Sequence, residues 1–306
     1  MDWPTILQQT FDNVKSEIGA GKVADYIPAL AAVDPSSFAL SVVTLDGEHY
    51  GIGAVDEAFS TQSISKVFTL SIALELVGPE LWKRVGREPS GSPFNSIVQL
   101  EQERGIPRNP LINAGALVVT DTLVSRYGTD TIPVLLAQMQ ALSGSFNVHI
   151  DHHVAASERE WGHRNRALAW FMKSFGVLTH PDPNAVLDAY FEQCALAMST
   201  RELATAGLFL AHDGTHPVSG IPVTSHDRVN RINALMLTCG HYDMSGDFAF
   251  RVGLAGKSGV GGGILAIAPR VGAIAVWSPA LNASGNSHAG TLALEHVSRL
   301  AGLNLF

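Results

Sequence analysis

Patterns typical of β-strands lie at both ends of this chain. Near the N-terminus, residues 38–45 predict one strand, Asp46-Gly47 predicts a hairpin turn, and a second strand is expected over 49–52. Near the C-terminus, apolar runs at 263–268 and 271–277 predict two more strands. Two hairpins so far apart in sequence bury their apolar faces most simply by pairing with each other. We therefore expect one antiparallel sheet built from both chain ends.

Helical patterns fill the chain between these hairpins and also flank them. One terminal helix is predicted from Asp2 and Pro4 to the glycines at 19–21, and another over 286–303. Long loops rich in polar residues, glycine or proline, such as 87–110, separate the central helical segments. These central segments are 63–77, 113–127, 132–143, 157–175, 184–197, 200–211 and 225–239.

This order of elements predicts an α+β fold, with an antiparallel sheet flanked by the terminal helices and a central helical lobe. We expect a single domain over residues 1–306, in which 1–60 and 245–306 form the sheet lobe and 61–244 form the helical lobe. A cleft between two lobes is a usual place for a small-molecule site.

Ser63 and Lys66 are the first candidates for chemistry. They are three residues apart, so a helix would place both side chains on one face. The nearly all-apolar run 67–77 predicts that this helix is buried, and Lys66 is the only Lys or Arg between Lys22 and Lys83. Burial favours the neutral amine, which can act as a general base toward a serine nucleophile. Ser63 would lie in the first helical turn, where N–H groups favour an oxyanion.

The S-x-x-K pattern also occurs by chance on solvated helix faces, and the apolar setting is what favours a catalytic interpretation here. A second segment, 256–263, contains Gly-Lys-Ser and so resembles the end of a phosphate-binding loop. However, Arg251 stands where that motif needs glycine, and three glycines lead into a strand rather than a helix. Lys257-Ser258-Gly259 fits better the K-[ST]-G edge strand of serine acyl-transferases. Its glycines would let a substrate approach the backbone closely.

The composition excludes several other classes of protein. An apolar fraction of 46% and a charged fraction of 16% are typical of a compact globular enzyme. The net charge of −8 and the absence of a Lys/Arg cluster argue against nucleic-acid binding. The apolar runs are too short to span a membrane, and the N-terminus lacks the pattern of a signal peptide. We therefore expect no membrane partner and a cytoplasmic location, with Cys194 and Cys239 as reduced core thiols.

A few polar groups have structural alternatives. Glu158 and Asn165 are seven residues apart and would share one face of a continuous helix, whereas Ser157 and Glu160 are spaced as a helix capping box. Histidines and an aspartate at 149–153 suggest metal ligands, but no further Cys/His spacing supports them, so we expect no metal.

Taken together, ordered segments over nearly the whole chain resemble the serine-dependent glutaminase family. That family has a β-lactamase/transpeptidase-like fold, which agrees with the layout predicted above. The segments that carry the resemblance are Tyr26–Leu30, Gln62–Lys66, Glu88–Gly91 with Phe94-Asn95, Pro107–Ala116, Ser157–Glu160 with Arg164-Asn165, Cys239–Asp243, Lys257–Val260 and Gly285–Ser287.

The resemblance implies roles for individual residues. Ser63 matches the nucleophile and Lys66 its activating partner, while Tyr26 and Tyr242 match tyrosines near the reacting amide. The backbone N–H groups of Ser63 and Val260 match the oxyanion hole.

The resemblance also implies how the amino-acid end of the substrate is held. The matching residues are Asn113, Glu158, Asn165 and Tyr190. A carboxylate for the ammonium group and amide or phenol donors for the carboxylate suit a zwitterionic ligand. The chain departs from the family at His241, where methionine is usual, at Gly256, where proline-alanine is common before the lysine, and in the altered segment 210–214.

The expected activity is hydrolysis of L-glutamine to L-glutamate and ammonia through an acyl-enzyme, without a cofactor. The resemblance further implies a homodimer or homotetramer. Two alternatives remain at this point: a penicillin-interacting serine hydrolase, which shares the S-x-x-K and K-[ST]-G patterns, and a non-catalytic amino-acid-binding sensor on the same scaffold.

Overall fold

The structure is a computed structural model that describes residues 1–91 and 96–306, so Phe94 and Asn95 lie outside the described residues. The helices are α1 (Trp3–Val14), α2 (Pro28–Ala31), α3 (Ser65–Val77), α4 (Val98–Gln102), α5 (Asn113–Tyr127), α6 (Thr131–Ser143), α7 (His152–Trp161), α8 (His163–Ser174), α9 (Pro183–Cys194), α10 (Thr200–Gly207), α11 (His226–Cys239), α12 (Ser245–Arg251) and α13 (His288–Leu300). The strands are β1 (Ala39–Thr44), β2 (His49–Gly53), β3 (Phe59–Ser60), β4 (His149–Ile150), β5 (Leu196–Met198), β6 (Ala255–Ser258), β7 (Gly263–Ala268) and β8 (Gly272–Trp277).

The main sheet joins the two ends of the chain. Its strand order is β2-β1-β8-β7-β6, and every neighbouring pair is antiparallel. The N-terminal hairpin pairs with the C-terminal strands through β1 and β8, from Ala39 opposite Trp277 to Thr44 opposite Gly272. The predicted α+β fold, with its sheet from both chain ends, is therefore confirmed. The K-[ST]-G lysine lies on β6, the edge strand, as the pattern predicts.

Helices cover both faces of this sheet. Alternate residues of β7 enter different cores, because successive side chains of a strand point to opposite faces. Ile264 and Ala266 pack with the terminal helices α1 and α13, whereas Leu265 and Ile267 pack with α10 and the helical lobe. A sheet buried on both faces explains why its central strands are continuous apolar runs.

Three local predictions are wrong. The segment 157–175 is not one helix, since α7 ends at Trp161 and α8 begins at His163. Ser157 does not cap a helix: it lies inside α7, whose N-cap Asp151 accepts hydrogen bonds from the N–H groups of His153 and Val154. The loop 87–110 contains the short helix α4.

A second, three-stranded sheet with the order β3-β5-β4 joins the end of the 1–60 segment to the helical lobe and was not predicted. Its strands have two or three residues each, which is too short for a periodic pattern to show. This small sheet nevertheless matters for function. The Thr61 N–H donates to the carbonyl of Leu196 at 2.8 Å, and this bond anchors the chain just before Ser63.

Candidate active site

A cavity of about 780 Å³ opens where α3, α5 and α9 meet the α7–α8 junction and the loop after β6. Of the nine residues that the sequence nominates, two lie behind its wall, the side chains of Lys66 and Tyr242, both buried. The other seven line it, namely Tyr26, Ser63, Asn113, Glu158, Asn165, Tyr190 and Val260. The fold thus gathers residues from seven separate parts of the chain around one space.

Ser63 is held at the N-terminal end of α3. It lies in a 3-10 turn, Gln62–Ile64, that runs directly into this helix. Gln62 has a φ of 50°, in the left-handed region that non-glycine residues rarely adopt. Backbone strain of this kind recurs next to functional groups. The N–H groups at the helix start give the Ser63 hydroxyl a positive electrostatic environment.

The apolar run around Lys66 predicts that this lysine is buried, and only 1% of the residue's surface is exposed. Its Nζ donates to Asn113 Oδ1 at 2.7 Å and to the Leu111 carbonyl at 3.4 Å, and it lies 5.9 Å from the centre of the Tyr190 ring. Burial lowers the pKa of this amine to about 8, against the opposing effect of the nearby Cys194 and Glu158. A substantial neutral fraction is therefore present near pH 8.

The Tyr242 side chain lies next to Ser63. Burial raises the pKa of its hydroxyl to about 12, and hydrogen bonds with the side chains of Ser63 and Ser258 oppose that rise. Its backbone is also unusual, with a φ of 58° at the start of the 3-10 turn Tyr242–Met244. Ser63 thus has a hydroxyl partner through which a proton can pass.

A second buried lysine lies on the other side of Tyr242. The Lys257 side chain is fully buried, and its Nζ lies 4.4 Å from the centre of the Tyr242 ring. It donates to the carbonyls of Gly240 at 2.9 Å and Ser258 at 2.5 Å. Burial, and then the charge of Lys66, hold the pKa of this amine well below its usual range. The sequence marks Lys257 as part of a motif but gives it no role.

The glycines after Lys257 serve the protein's own packing. A Cβ on Gly259 would lie 2.4 Å from the Thr61 carbonyl oxygen, and one on Gly261 would lie 2.2 Å from that of Ser60. These two glycines therefore allow a close fit between two chain segments, and the approach of substrate to this backbone stays a prediction. This fit brings Val260 to the cavity wall beside Ser63.

The opposite side of the cavity carries a carboxylate. Burial raises the pKa of Glu158 to about 7, and a hydrogen bond with Gln62 and the charge of Lys66 oppose the rise. Nearby, Asn113 Nδ2 donates to Asn165 Oδ1 at 3.0 Å. The helix break between α7 and α8 does not separate Glu158 from Asn165, because both still face the cavity.

Several lining residues were missed. Gln62 donates to Ser60 Oγ at 3.0 Å and also contacts Glu158, and its place next to the nucleophile was the available signal. Trp161, His163 and Arg164 line the cavity from the α7–α8 junction, which the sequence presented as the interior of one helix. Cys194, predicted as a reduced core thiol, is free and buried but also reaches the cavity.

Membrane-spanning helices and metal-binding groups are two further features that a sequence of this kind could carry. In the ranges 1–91 and 96–306, no helix has both the length and the apolar character needed to cross a membrane. Within those same ranges, no three His, Cys, Asp or Glu side chains are grouped so as to hold a metal ion. Instead, His149 Nδ1 bonds to the Asn147 carbonyl, and Asp151 caps α7.

Known proteins have similar sequences and the same fold. Residues 21–306 match the sequence profile of the family described as Glutaminase. A glutaminase from Methylobacterium sp. (strain 4-46) is 56% identical over 306 residues, which are 100% of this chain and 99% of that one. A glutaminase from Rhizobium etli (strain CIAT 652) is also 56% identical, over the same shares of the two chains.

Solved structures agree with this match. The structure of the probable glutaminase ybaS superposes with a TM-score of 0.92 at 41% identity, covering 99% of this chain and 98% of that one. A probable glutaminase from Bacillus subtilis, in complex with 6-diazo-5-oxo-L-norleucine, gives a TM-score of 0.90 at 34% identity over 100% and 98% of the chains. The β-lactamase/transpeptidase-like fold predicted from the sequence is thereby confirmed, and the chain belongs to the glutaminase family.

Proposed function

We propose that this protein hydrolyses L-glutamine to L-glutamate and ammonia, with Ser63 as the nucleophile. The observation that carries this proposal is the position of Ser63, which lies on the cavity wall with the buried Tyr242 side chain close enough to influence it electrostatically. Three residues further along the chain is a buried lysine whose pKa is about 8. A hydroxyl next to a group that can take its proton is the arrangement that nucleophilic catalysis requires.

The first half of the reaction forms an ester. Neutral Lys66 accepts the Ser63 proton through the Tyr242 hydroxyl, and the serine oxygen attacks the side-chain amide carbon of glutamine. The N–H groups of Ser63 and Val260 bind the resulting oxyanion, and each such donor contributes about 3–4 kcal/mol in comparable enzymes. When the C–N bond breaks, Tyr242 or Tyr26 protonates the departing nitrogen and ammonia leaves. The proton held by Lys66 then passes to that tyrosine, so that Lys66 is neutral again before water attacks.

The second half of the reaction releases glutamate. Water gives a proton to the same base and attacks the γ-glutamyl ester on Ser63. The oxyanion again forms in the same place, and its collapse returns the proton to the serine oxygen. Residues of this chain carry out every proton transfer in this reaction. Tyr26, with 54% of its surface exposed, lines the cavity on its solvent side.

The opposite end of the cavity suits the α-amino acid group. Glu158 would bind the ammonium, and Asn113, Asn165 and Tyr190 offer donors to the carboxylate. The compound bound by the Bacillus subtilis relative supports this, because its name specifies an α-amino acid with a carbonyl at carbon 5. That carbon corresponds to the side-chain amide carbon of glutamine.

We further propose that residues 1–306 act as a single glutaminase domain, with the sheet lobe over 1–60 and 245–306 and the helical lobe over 61–244. The pairing of β1 with β8 supports this unit, since neither end completes the sheet alone. A cytoplasmic location is proposed from the two buried free cysteines. A homodimer or homotetramer is proposed from family resemblance, and light scattering on the purified protein tests it.

The decisive experiment is Ser63→Ala assayed by ammonia release. We expect turnover to fall by at least about 10⁴-fold, because the nucleophile is gone. Calorimetry should still detect glutamine binding. Ser71→Ala, on the same helix and bonded only to a backbone carbonyl, is the matched control and should keep activity near that of the unsubstituted protein.

Other outcomes have clear meanings. Turnover retained in Ser63→Ala contradicts the nucleophile assignment. Glutamine binding without ammonia release by the unsubstituted protein indicates an amino-acid sensor. Hydrolysis of nitrocefin in place of glutamine indicates a penicillin-interacting hydrolase.

A further inference from the structure

His241 has no role in the mechanism above, yet it is among the most enclosed polar residues near the site. Only 1% of its surface is exposed. Its ring stacks on that of Phe248, with the ring centres 3.5 Å apart and the planes inclined by 14°. Its backbone is also held, since its N–H donates to Ser245 Oγ at 3.0 Å and its carbonyl accepts from Asn286 Nδ2 at 3.4 Å.

The third side of this enclosure is Gly256 on strand β6. A Cβ built on Gly256 would lie 2.8 Å from His241 Nε2 and 2.6 Å from the Phe248 ring. Gly256 pairs regularly with Ala266 and does not have a positive φ, so the backbone itself does not demand glycine there. A glycine inside a strand weakens the strand, and it is often found where another group approaches closely. Here the imidazole is that group.

The residue next to His241 is the one that needs support. Tyr242 has a φ of 58°, a left-handed conformation that a tyrosine keeps only when its surroundings impose it. Its hydroxyl nevertheless contacts Ser63, and its ring lies 4.4 Å from Lys257 Nζ. A small rotation of this turn would move the hydroxyl away from the nucleophile.

We propose that His241 is a positioning residue whose ring, packed between Phe248 and Gly256, fixes the turn that presents Tyr242 to Ser63. The side chain acts by its shape and not by proton transfer, and it touches no substrate. The proposal rests on the proposed function, because that function makes the Tyr242–Ser63 contact the one that matters. His241 and Gly256 complement each other in this chain, because the imidazole ring occupies the space that a side chain at position 256 would need.

The test uses two substitutions. Gly256→Ala adds a methyl group beside the His241 ring, and His241→Ala removes the ring. In Gly256→Ala, the new methyl group collides with two buried rings, and we expect kcat to fall by about tenfold or more, since small misplacements of reacting groups slow catalysis strongly. KM for glutamine should change by less than about threefold, because Glu158, Asn113 and Asn165 lie elsewhere in the cavity. His241→Ala should also lower kcat with little change in KM.

The double variant His241→Ala/Gly256→Ala is the diagnostic one. Removal of the imidazole makes room for the methyl group, so kcat should be higher than in Gly256→Ala alone. Independent effects would multiply, whereas steric complementarity predicts this partial rescue. Gly246→Ala is the matched control, because it lies four residues from Tyr242 and a Cβ there meets no atom within 4 Å. Its kcat and KM should equal those of the unsubstituted protein.

The proposal is overturned if Gly256→Ala keeps full kcat, if the two single effects simply multiply in the double variant, or if KM rises as much as kcat falls. Should Gly256→Ala fail to fold, His241→Ala decides alone, and an unchanged kcat there rejects the proposal. Crystal structures of Gly256→Ala and of the double variant separate this inference from the proposed function. The distance between the Tyr242 and Ser63 hydroxyls should lengthen in the first and return in the second, whatever reaction the site performs.

Discussion

At the residue level, burial rather than pairing gives this site its chemistry. Burial favours the neutral form of four side chains here. It lowers the pKa of the two lysines, Lys66 and Lys257, and raises the pKa of Glu158 and Tyr242. Ser63 lies among them, and two of these groups, Lys66 and Glu158, have pKa values near neutral pH, at about 8 and about 7. The sequence allowed Lys66 to be predicted, because it is a lone cation in an apolar run. Lys257 was harder to find, since the glycines beside it hide its burial.

The pH dependence follows from two of these groups. In the proposed mechanism the neutral form of Lys66 is the base, so kcat/KM should rise as pH increases through about 8, where this amine loses its proton. Glu158 binds an ammonium only when ionised, so KM should rise as pH falls through about 7. Initial rates between pH 5.5 and 9 measure both effects. A flat kcat/KM over this range would contradict the lysine base.

Lys66→Arg tests the same base by chemistry. A guanidinium stays charged at any pH that the protein tolerates, so it cannot accept the serine proton. We expect kcat to fall by about 10²–10⁴-fold, the usual contribution of general-base catalysis. Lys83→Arg, at an exposed position, is the control and should behave like the unsubstituted protein. Substantial ammonia release by Lys66→Arg would remove Lys66 from the mechanism.

Glu158→Gln separates binding from chemistry. Loss of a charge-assisted hydrogen bond to the substrate ammonium is worth about 1.5–3 kcal/mol, which corresponds to a rise in KM of roughly 10- to 100-fold. Turnover at saturation should change much less. Glu160→Gln, at an exposed position of the same helix, is the control and should leave KM unchanged. An unaltered KM in Glu158→Gln would show that another group binds the ammonium.

At the level of elements, the break between α7 and α8 is the feature that the sequence concealed. The apolar spacing continues through 157–175, so periodicity alone predicts one helix. Gly162 stands at this break in close contact with α9: a Cβ on it would lie 2.5 Å from the Glu158 carbonyl oxygen and 2.6 Å from the Phe191 ring. Such contacts cannot be read from local patterns. The short strands β3, β4 and β5 were not predicted for a related reason. They are defined by their pairing with one another, which joins segments distant in sequence.

Gly162→Ala measures how much that break matters. The added methyl group would overpack the junction, and we expect the free energy of unfolding to fall by about 1–3 kcal/mol. KM for glutamine should rise as well, because the junction positions Glu158 and Asn165 on one wall of the cavity. Denaturant unfolding and steady-state kinetics give the two values. If both match those of Gly246→Ala, the close packing at Gly162 is not important.

At the level of the whole molecule, the layout was the most predictable property of all. Long apolar runs at both chain ends fix where strands lie, and their need for a partner fixes how the ends meet. The glutaminase resemblance then placed nine residues around one cavity, and seven of them line it. The positive φ values at Gln62 and Tyr242 could not be predicted, because they depend on surroundings distant in sequence.

The pairing of β1 with β8 also has a consequence for synthesis. A ribosome releases Ser63 and Lys66 long before it releases Val260 and the strands β6, β7 and β8. Until then the N-terminal hairpin has no sheet to join, and in the proposed mechanism the nascent chain carries its nucleophile without the Val260 half of the oxyanion hole. That mechanism implies that a growing chain stays catalytically silent until the C-terminal strands have been translated and have joined the two ends.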